Sequence, residues 1–549
     1  MKNNWQVMHP NPQGIIFTEK EIVNILLKNR SINANQEKEF VKPNHPNEVA
    51  LSSAGIDTKQ VNSAVERLKE ARKKNDKIVI FGDYDADGVC STAIVWETLH
   101  LLGFNVKPYI PNRFSEGYGL TTGAVDNIIE KFGTDVSLII TVDNGIVAHN
   151  AVQHAREKSI DIIITDHDQA SGDYPEALSI IHSTLVSGSA VSWFFAREIA
   201  REFNYGNLDE HLDLVAIGTV SDLLPLTGIN RSIVMYGLQK LNTTLRPGIR
   251  ALKMVSGLAT EEIKPYHISF QLAPRINAAG RMDDALEALR LICTRDKLKA
   301  QRLALKLSDL TKDRQDLVSG TLSKIDSIVD LSDNVIVVSD DSLHEGVIGL
   351  IASKLVEKYY RPAIVMSIDG EVAKASARSI ADFDIIKSIR GTGDVILEGG
   401  GHSMAAGFTI KSADIEEFKS RLRNFSESLL TDEILKRRLT IDIELNPKSI
   451  TEKLITMLEI FEPYGPKNLK PLFITKNADL IDKRVIGKEN NHLKFTALKD
   501  GAKLNAIAFG FAGFNHSIAD IVYEPAINIW NGKKSIDLKI KDMRQNARS

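Results

Sequence analysis

The stretch Lys77-Ile-Val-Ile-Phe-Gly-Asp-Tyr-Asp-Ala-Asp-Gly88 joins a short apolar run to three carboxylates at alternate positions. Lys77 to Phe81 reads as a buried strand, and the polar cluster begins where that strand ends. Two later stretches have the same form. Val136-Ser-Leu-Ile-Ile-Thr-Val142 runs into Asp143-Asn-Gly145, and Ile160-Asp-Ile-Ile-Ile-Thr165 runs into Asp166-His-Asp168. Helical patterns lie between them, over Thr121 to Lys131 and Ala148 to Lys158, and another precedes them over Val61 to Lys74. Strands alternating with helices predict a parallel α/β sheet. Such sheets bind ligands at the carboxyl ends of their strands, where all three clusters fall.

Asp83, Asp85 and Asp87 are too close together for all three to ionise cheaply without a cation between them. A calcium loop of the D-x-D-x-D-G type does not fit. It needs Glu at its twelfth position, where this chain has Ile94, and it needs a helix rather than a strand before it. Asp143 followed by Asn-Gly is on its own a turn signal, and Asp166-His167 alone says little. Asp222, in Gly218-Thr-Val-Ser-Asp-Leu-Leu-Pro225, is a carboxylate in an otherwise apolar run. The set is informative: carboxylates plus one imidazole, with no thiolate. It suits Mn²⁺ or Mg²⁺, the imidazole favouring Mn²⁺. Two such ions ~3.5–4 Å apart activate water and stabilise the leaving oxygen of a phosphoryl displacement.

At 549 residues the chain exceeds one core, at ~100–200 residues per domain. Asn334 to Val338 opens a second α/β unit that ends near Ser428. A helical stretch over Ala285 to Ser327, with Leu303, Leu307, Leu310 and Leu317 at helical spacing, either connects the two lobes or packs on one of them. Beyond it, Leu439 to Leu445, Pro471 to Lys476, His492 to Leu498, Leu504 to Phe509, Ile521 to Trp530 and Ser535 to Ile540 read as short strands of a small β-barrel such as an OB-fold. The expected layout is an N-terminal segment (1–75) packed on the core, a catalytic domain (76–300), a connecting helix (301–330), a second α/β domain (331–430) and a barrel (431–549).

The net charge of −3 is unevenly spread: residues 431–549 carry 20 Lys and Arg against 15 Asp and Glu, a balance of +5, leaving −8 for the rest. An acidic metal-binding part and a basic nucleic-acid-binding part would divide this way, as would uneven surface charge. Phe473, Phe495, Phe509, Phe511, Phe514, Tyr523 and Trp530 interleave with lysines there; most should be barrel core, leaving one or two to meet bases. Cys90 and Cys293 have no metal-ligand spacing and suit a reducing compartment. With no signal-peptide core at the start and no apolar run of ~20 residues, the expectation is a cytoplasmic protein without membrane contact.

Asp83-Tyr-Asp-Ala-Asp-Gly88, Val142-Asp-Asn-Gly145, Thr165-Asp-His167 and Gly218-Thr-Val-Ser-Asp222 resemble, in order, the four motifs of the DHH phosphoesterase superfamily. Further stretches resemble its single-stranded-DNA exonuclease branch: Ile110 to Leu120, Pro274 to Met282, His344 to Gly349, Ser376 to Ser379, Gly399 to Gly407 and Glu462 to Asn468. The likeness spans about residues 50 to 545. It implies a DHH core, a DHH-associated domain and an OB-like barrel, and hydrolysis of single-stranded DNA 5′→3′ to mononucleotides in repair and recombination. It implies two ions. Asp85, Asp143, His167 and Asp222 would hold one; Asp83 would help hold the other, with Asp143 bridging and Asp166 in support. Arg113, Ser376 and Arg378 would recognise the 5′ end. Arg275, Asn277 and Arg281 would line the strand path, and Gly400, Gly401 and His402 would grip phosphates. A single-strand binding protein and a helicase are the implied partners of a monomer.

The third position of the Asp-His-His signature is here Asp168, and Ile180 to Thr184 and Val186 to Ser192 also depart from the pattern. Asp168 could be protonated, turned away or recruited to a metal. Two other readings follow: a phosphodiesterase for short oligonucleotides or cyclic dinucleotides, and a single-strand-binding scaffold that lost the chemistry.

Overall fold

A five-stranded parallel sheet carries the catalytic domain, in the spatial order Val106–Tyr109, Lys77–Gly82, Val136–Val142, Asp161–Asp166, Ser179–His182. The structure is a computed structural model describing residues 3–545 except 114, 171, 327, 328 and 531; Phe114 and the Trp530 side chain lie outside what is described. In chain order the sheet runs 2-1-3-4-5, so its connections reverse direction between Lys77–Gly82 and Val136–Val142. A crevice opens at the carboxyl ends at that reversal. These strands are apolar on both faces because helices cover both. Thr122–Phe132 and His149–Glu157 pack on one face. Thr58–Lys74, Ala86–Leu101, Gly188–Glu202 and Leu212–Ser221 pack on the other. Ala86–Leu101 is buried almost all round, so it lacks the one-sided apolar stripe of a surface helix.

The long helical stretch is two helices. Leu286–Cys293 ends, and Asp296 then caps Lys297–Ile325 by accepting from the Leu298 and Lys299 amides. Leu303 and Leu307 are buried in the catalytic core, while Leu317 packs against the second α/β unit. One helix therefore both connects the lobes and contributes to their cores. The second unit has a mixed sheet ordered Ile396–His402, Ala405–Lys411, Val372–Arg378, Ala363–Asp369, Ile336–Asp340, in which only the last pair is parallel.

The tail forms the expected barrel. Phe473–Ile486, His492–Lys499, Ala502–Ala508, Lys533–Arg544 and Ile518–Trp530 pair in that order, and the first and last pair to close the ring. Phe473, Phe495 and Tyr523 are barrel core, Phe511 and Phe514 pack against it, and Phe509 is exposed. The N-terminal segment departs from the expectation. Asn4–His9 pairs in parallel with Arg438–Glu444, and Ile22 and Leu26 of Glu19–Asn29 are buried in the barrel's core. Its later part, with Leu51, Ala54 and Ile56 and the helix Thr58–Lys74, packs into the catalytic core. The apolar face of Glu19–Asn29 is satisfied by residues over 400 positions away, which no local pattern encodes. Among the described residues, no helix is long and apolar enough to cross a membrane.

Candidate metal centre and substrate cleft

The carboxylates gather at the sheet's reversal point. Ligand atoms of Asp83, Asp85 and Asp143 lie within 4.8 Å of one another, as do those of Asp87, Asp143 and His167. The two groups share Asp143. His167 Nε2 is 3.2 Å from Asp143 Oδ1 and 3.6 Å from Asp222 Oδ2. The grouping differs from the expected one. Asp85 stands with Asp83, its Oδ1 engaged by the amides of Asp87 and Gly88 at the start of Ala86–Leu101. Asp87, which the sequence reading left unassigned, stands with His167.

Each group is held by backbone. Asp143 follows its strand in a left-handed conformation, φ 62°, which Asp tolerates better than most residues and which swings the carboxylate over the strand ends. Asp166 accepts from the Ile146, His167 and Asp168 amides, so it fixes two loops rather than pointing both oxygens at the cluster. Asp87 accepts from Gly188 and Ser189, at 2.8 and 3.1 Å, at the amino end of Gly188–Glu202, where free amides and the helix dipole favour an anion. Two glycines make room: a Cβ on Gly188 would sit 2.0 Å from Asp143 Oδ1, and one on Gly218 would sit 2.0 Å from Asp87 Oδ1. Gly188→Ala is expected to displace Asp143 and lower kcat about a hundredfold. Steady-state kinetics, with circular dichroism to confirm folding, checks this.

The electrostatics fit divalent cations. Burial, then the neighbouring Asp carboxylates, push Asp83 and Asp143 well above the usual carboxylate range. Burial and Asp87 push Asp222 up to about 8. Burial draws the His167 imidazole down, but Asp87, Asp222, Asp168 and Asp166 more than offset it and raise its pKa. Asp143 Oδ1 is buried and, among the described residues, has no hydrogen-bond donor, with only the His167 imidazole close by at 3.2 Å. Such a lone pair, among acids that repel one another, calls for a cation. Asp168 is half-buried, and its Oδ2 accepts from the Tyr118 hydroxyl at 3.3 Å.

Between the lobes lies a cleft of ≈ 500 Å³ bordered by Tyr84 beside Asp83. Arg113, Arg281, Lys374 and Arg378 line it, with Ser376 among them. The period of two along Val372–Arg378 turns Ala373, Ala375 and Ala377 into the core, leaving Lys374, Ser376 and Arg378 on the other face. That alternation was the signal for Lys374, which the sequence reading missed. Burial, then Arg113, Arg314 and Arg378, hold the Arg281 guanidinium down to about 10, and burial with Arg113 lowers Arg378. Two carboxylates, Glu345 and Glu398, also line the cleft, and Lys374 is ion-paired to Glu345 at 2.7 Å.

Other expected substrate residues lie elsewhere. Asn277 accepts from the Ala86 amide at 2.7 Å, so it steadies the loop holding Asp83 and Asp85. Arg275 donates to the Gln271 carbonyl and does not line the cleft. Gly400, Gly401 and His402 form an exposed sheet edge; Glu398 and Gly399 are the residues of that strand at the cleft.

Family models match three segments: the DHH family N-terminal domain over residues 77–219, the DHHA1 domain over 332–428 and the RecJ OB domain over 441–542. The chain is 38% identical over 506 residues to the single-stranded-DNA-specific exonuclease RecJ of Bacillus subtilis, covering 89% of this chain and 64% of that protein. It thus spans just under two thirds of that relative's length. Against the Haemophilus influenzae protein of the same name it is 31% identical over 522 residues, covering 87% of this chain and 90% of that one. The crystal structure of Thermus thermophilus RecJ with Mn²⁺ superposes with a TM-score of 0.84 at 28% identity, covering 99% of this chain and 79% of that one. The Mg²⁺ complex from the same organism gives 0.79 at 26% identity, covering 99% and 78%. An acidic cluster fitted to divalent ions, three matched domains and these relatives agree: the chain belongs to the RecJ family.

Proposed function

We propose that the chain degrades single-stranded DNA from its 5′ end to mononucleotides, using two divalent cations that share Asp143. The supporting observation is the pair of ligand groups meeting at that carboxylate, beside a cationic cleft. Asp83, Asp85 and Asp143 would hold one ion, and Asp87, Asp143, His167 and Asp222 the other. When bound, the ions supply an activated water and charge neutralisation at the leaving oxygen. The protein's own groups do the rest. Arg113, Arg281 and Arg378 draw in a terminal phosphate, whose charge exceeds that of an internal diester. Ser376 offers a hydroxyl beside Arg378, at 3.1 Å. Asp166 and Asn277 keep the ligand loops in register.

The two other readings are not favoured. A phosphodiesterase for small substrates has no use for the barrel, and a scaffold has no use for buried, mutually repelling acids. On this reading the enzyme works in the cytoplasm as a monomer, in DNA repair and recombination, beside a single-strand binding protein and a helicase. Purified protein with Mn²⁺ is expected to digest labelled single strands and spare blunt duplexes. Equal digestion of both would overturn the strand preference.

A further inference from the structure

Behind the metal centre lies a second set of buried charges that the catalytic arrangement does not use. Arg246 Nη1 stands 2.9 and 2.8 Å from the two oxygens of Glu97, and its Nε is 3.3 Å from Asp213 Oδ2. The Thr244 hydroxyl donates to the same Asp213 oxygen at 2.8 Å, and His211 Nε2 is 3.1 Å from Glu97 Oε2. Glu97, His211, Asp213 and Arg246 are all buried, and none of them lines the cleft between the lobes. Burial alone would raise the Glu97 carboxyl, but His211 and Arg246 more than offset it and hold it down to about 2, so Glu97 stays ionised. Such networks are costly. Apolar side chains of similar volume are often neutral or stabilising in their place, so stability is a poor reason for one; fixing a register is a better one.

Register matters here because the same two helices carry metal ligands. Asp87 and Glu97 lie on Ala86–Leu101; Asp213 lies on Leu212–Ser221, which ends at Asp222. Gly218 faces Asp87 at one end of the pair, and Arg246 joins Glu97 to Asp213 at the other, so the helices run antiparallel. At 1.5 Å per residue, Glu97 is ~15 Å along its helix from Asp87, and Asp213 is ~14 Å from Asp222. The spans match, so the ionic end sets the alignment of the ligand end. Leu212, Leu214, Val215, Ala216, Ile217 and Val220 bury the second helix in apolar surroundings. Apolar contact is non-directional and tolerates a slide, whereas a guanidinium forked onto two carboxylates does not. The ligand end tolerates little, since Gly218 passes Asp87 with no room for a Cβ.

Resting on the two-cation reading above, we propose that Arg246, through Glu97 and Asp213, is a positioning residue that fixes the register of these two helices and so the affinity of the ion held by Asp87 and Asp222. The ion of Asp83, Asp85 and Asp143 has no ligand on Leu212–Ser221, so the clamp leaves it alone. A side chain that touches neither ion thereby sets the loading of one of them.

The test is a calorimetric Mn²⁺ titration of the full-length protein beside two variants. Arg246→Lys keeps the charge but cannot fork onto two carboxylates, and Asp213→Asn removes one of the two. Each variant is expected to bind one ion about tenfold more weakly and the other as the parent does. Variant crystals soaked at limiting Mn²⁺ should lose the peak among Asp87, Asp143, His167 and Asp222 and keep the other. On single strands, kcat should fall at limiting Mn²⁺ and recover at high Mn²⁺, with the KM for the strand unchanged. A merely structural role would lower Tm and leave both affinities alone; that result, or loss of the other peak, overturns the clamp. The triple variant Glu97→Met/Asp213→Leu/Arg246→Met guards against misfolding, since a buried ionic network replaced whole by apolar residues tends to fold. It should show the same selective loss, and parental affinity at both sites in it would overturn the proposal. A parent chain that takes up a single Mn²⁺ would instead overturn the two-cation reading.

Discussion

Replacing Asp143 by asparagine is expected to lower kcat by about three orders of magnitude or more and, in chelator, to make the protein more stable. Loss of activity follows from position: Asp143 is the carboxylate common to both ligand groups, so its removal weakens both sites together. The gain in stability follows from the same position. Burial and the Asp87, Asp85 and Asp83 carboxylates hold the Asp143 pKa far above its ordinary value, so the metal-free cluster is a source of strain. Asparagine keeps the shape and removes the charge. A rise in Tm of about 2 °C or more in EDTA is the expected size. Mn²⁺ should raise the Tm of the unaltered protein and have much less effect on the variant. Scanning calorimetry with and without Mn²⁺ measures both. A variant less stable than the parent in EDTA would mean that Asp143 holds the fold rather than the ions.

The second large effect is expected at the cationic cleft. Arg378→Ala should lower kcat/KM on 5′-phosphorylated single strands about a hundredfold and affect 5′-hydroxyl strands much less. Arg378 is packed with Arg113 and Arg281 closely enough that burial and mutual repulsion lower its pKa, which is the state of a site built to receive an anion. Arg378→Lys should fall between, since it keeps the charge and loses the planar fork. Kinetics on matched phosphorylated and unphosphorylated strands decide the point. Equal losses on both would assign Arg378 to the lobe interface instead of the terminal phosphate.

What the chain's sequence shows and hides has a physical pattern. Asp83, Asp85, Asp143, Asp166 and His167 were legible because each follows an apolar strand, and strand ends converge in a parallel sheet. Asp222 was legible because a carboxylate in an apolar run demands a partner. Asp87 was not. Its place in the cluster depends on amides of Gly188 and Ser189, about a hundred residues downstream, and on the space left by Gly218. The substrate residues on Ala273–Met282 were only partly legible. Asn277 and Arg281 are four apart and share a helix face, whereas Arg275 lies on another, and the motif alone did not separate them. Lys374 was readable by alternation from Ser376 and Arg378. Five strands of the barrel were legible, but the sixth expected one, Arg438–Glu444, stands outside the closed ring and pairs with Asn4–His9, which was not legible because a parallel partner of a β-strand leaves no mark on the local pattern.

The central claim is that two cations meet at Asp143. A crystal soaked in Mn²⁺ and measured at the manganese absorption edge tests it most directly. Two anomalous peaks are expected, one among Asp83, Asp85 and Asp143 and the other among Asp87, Asp143, His167 and Asp222. A single peak, or two peaks of which only one touches Asp143, would contradict the account.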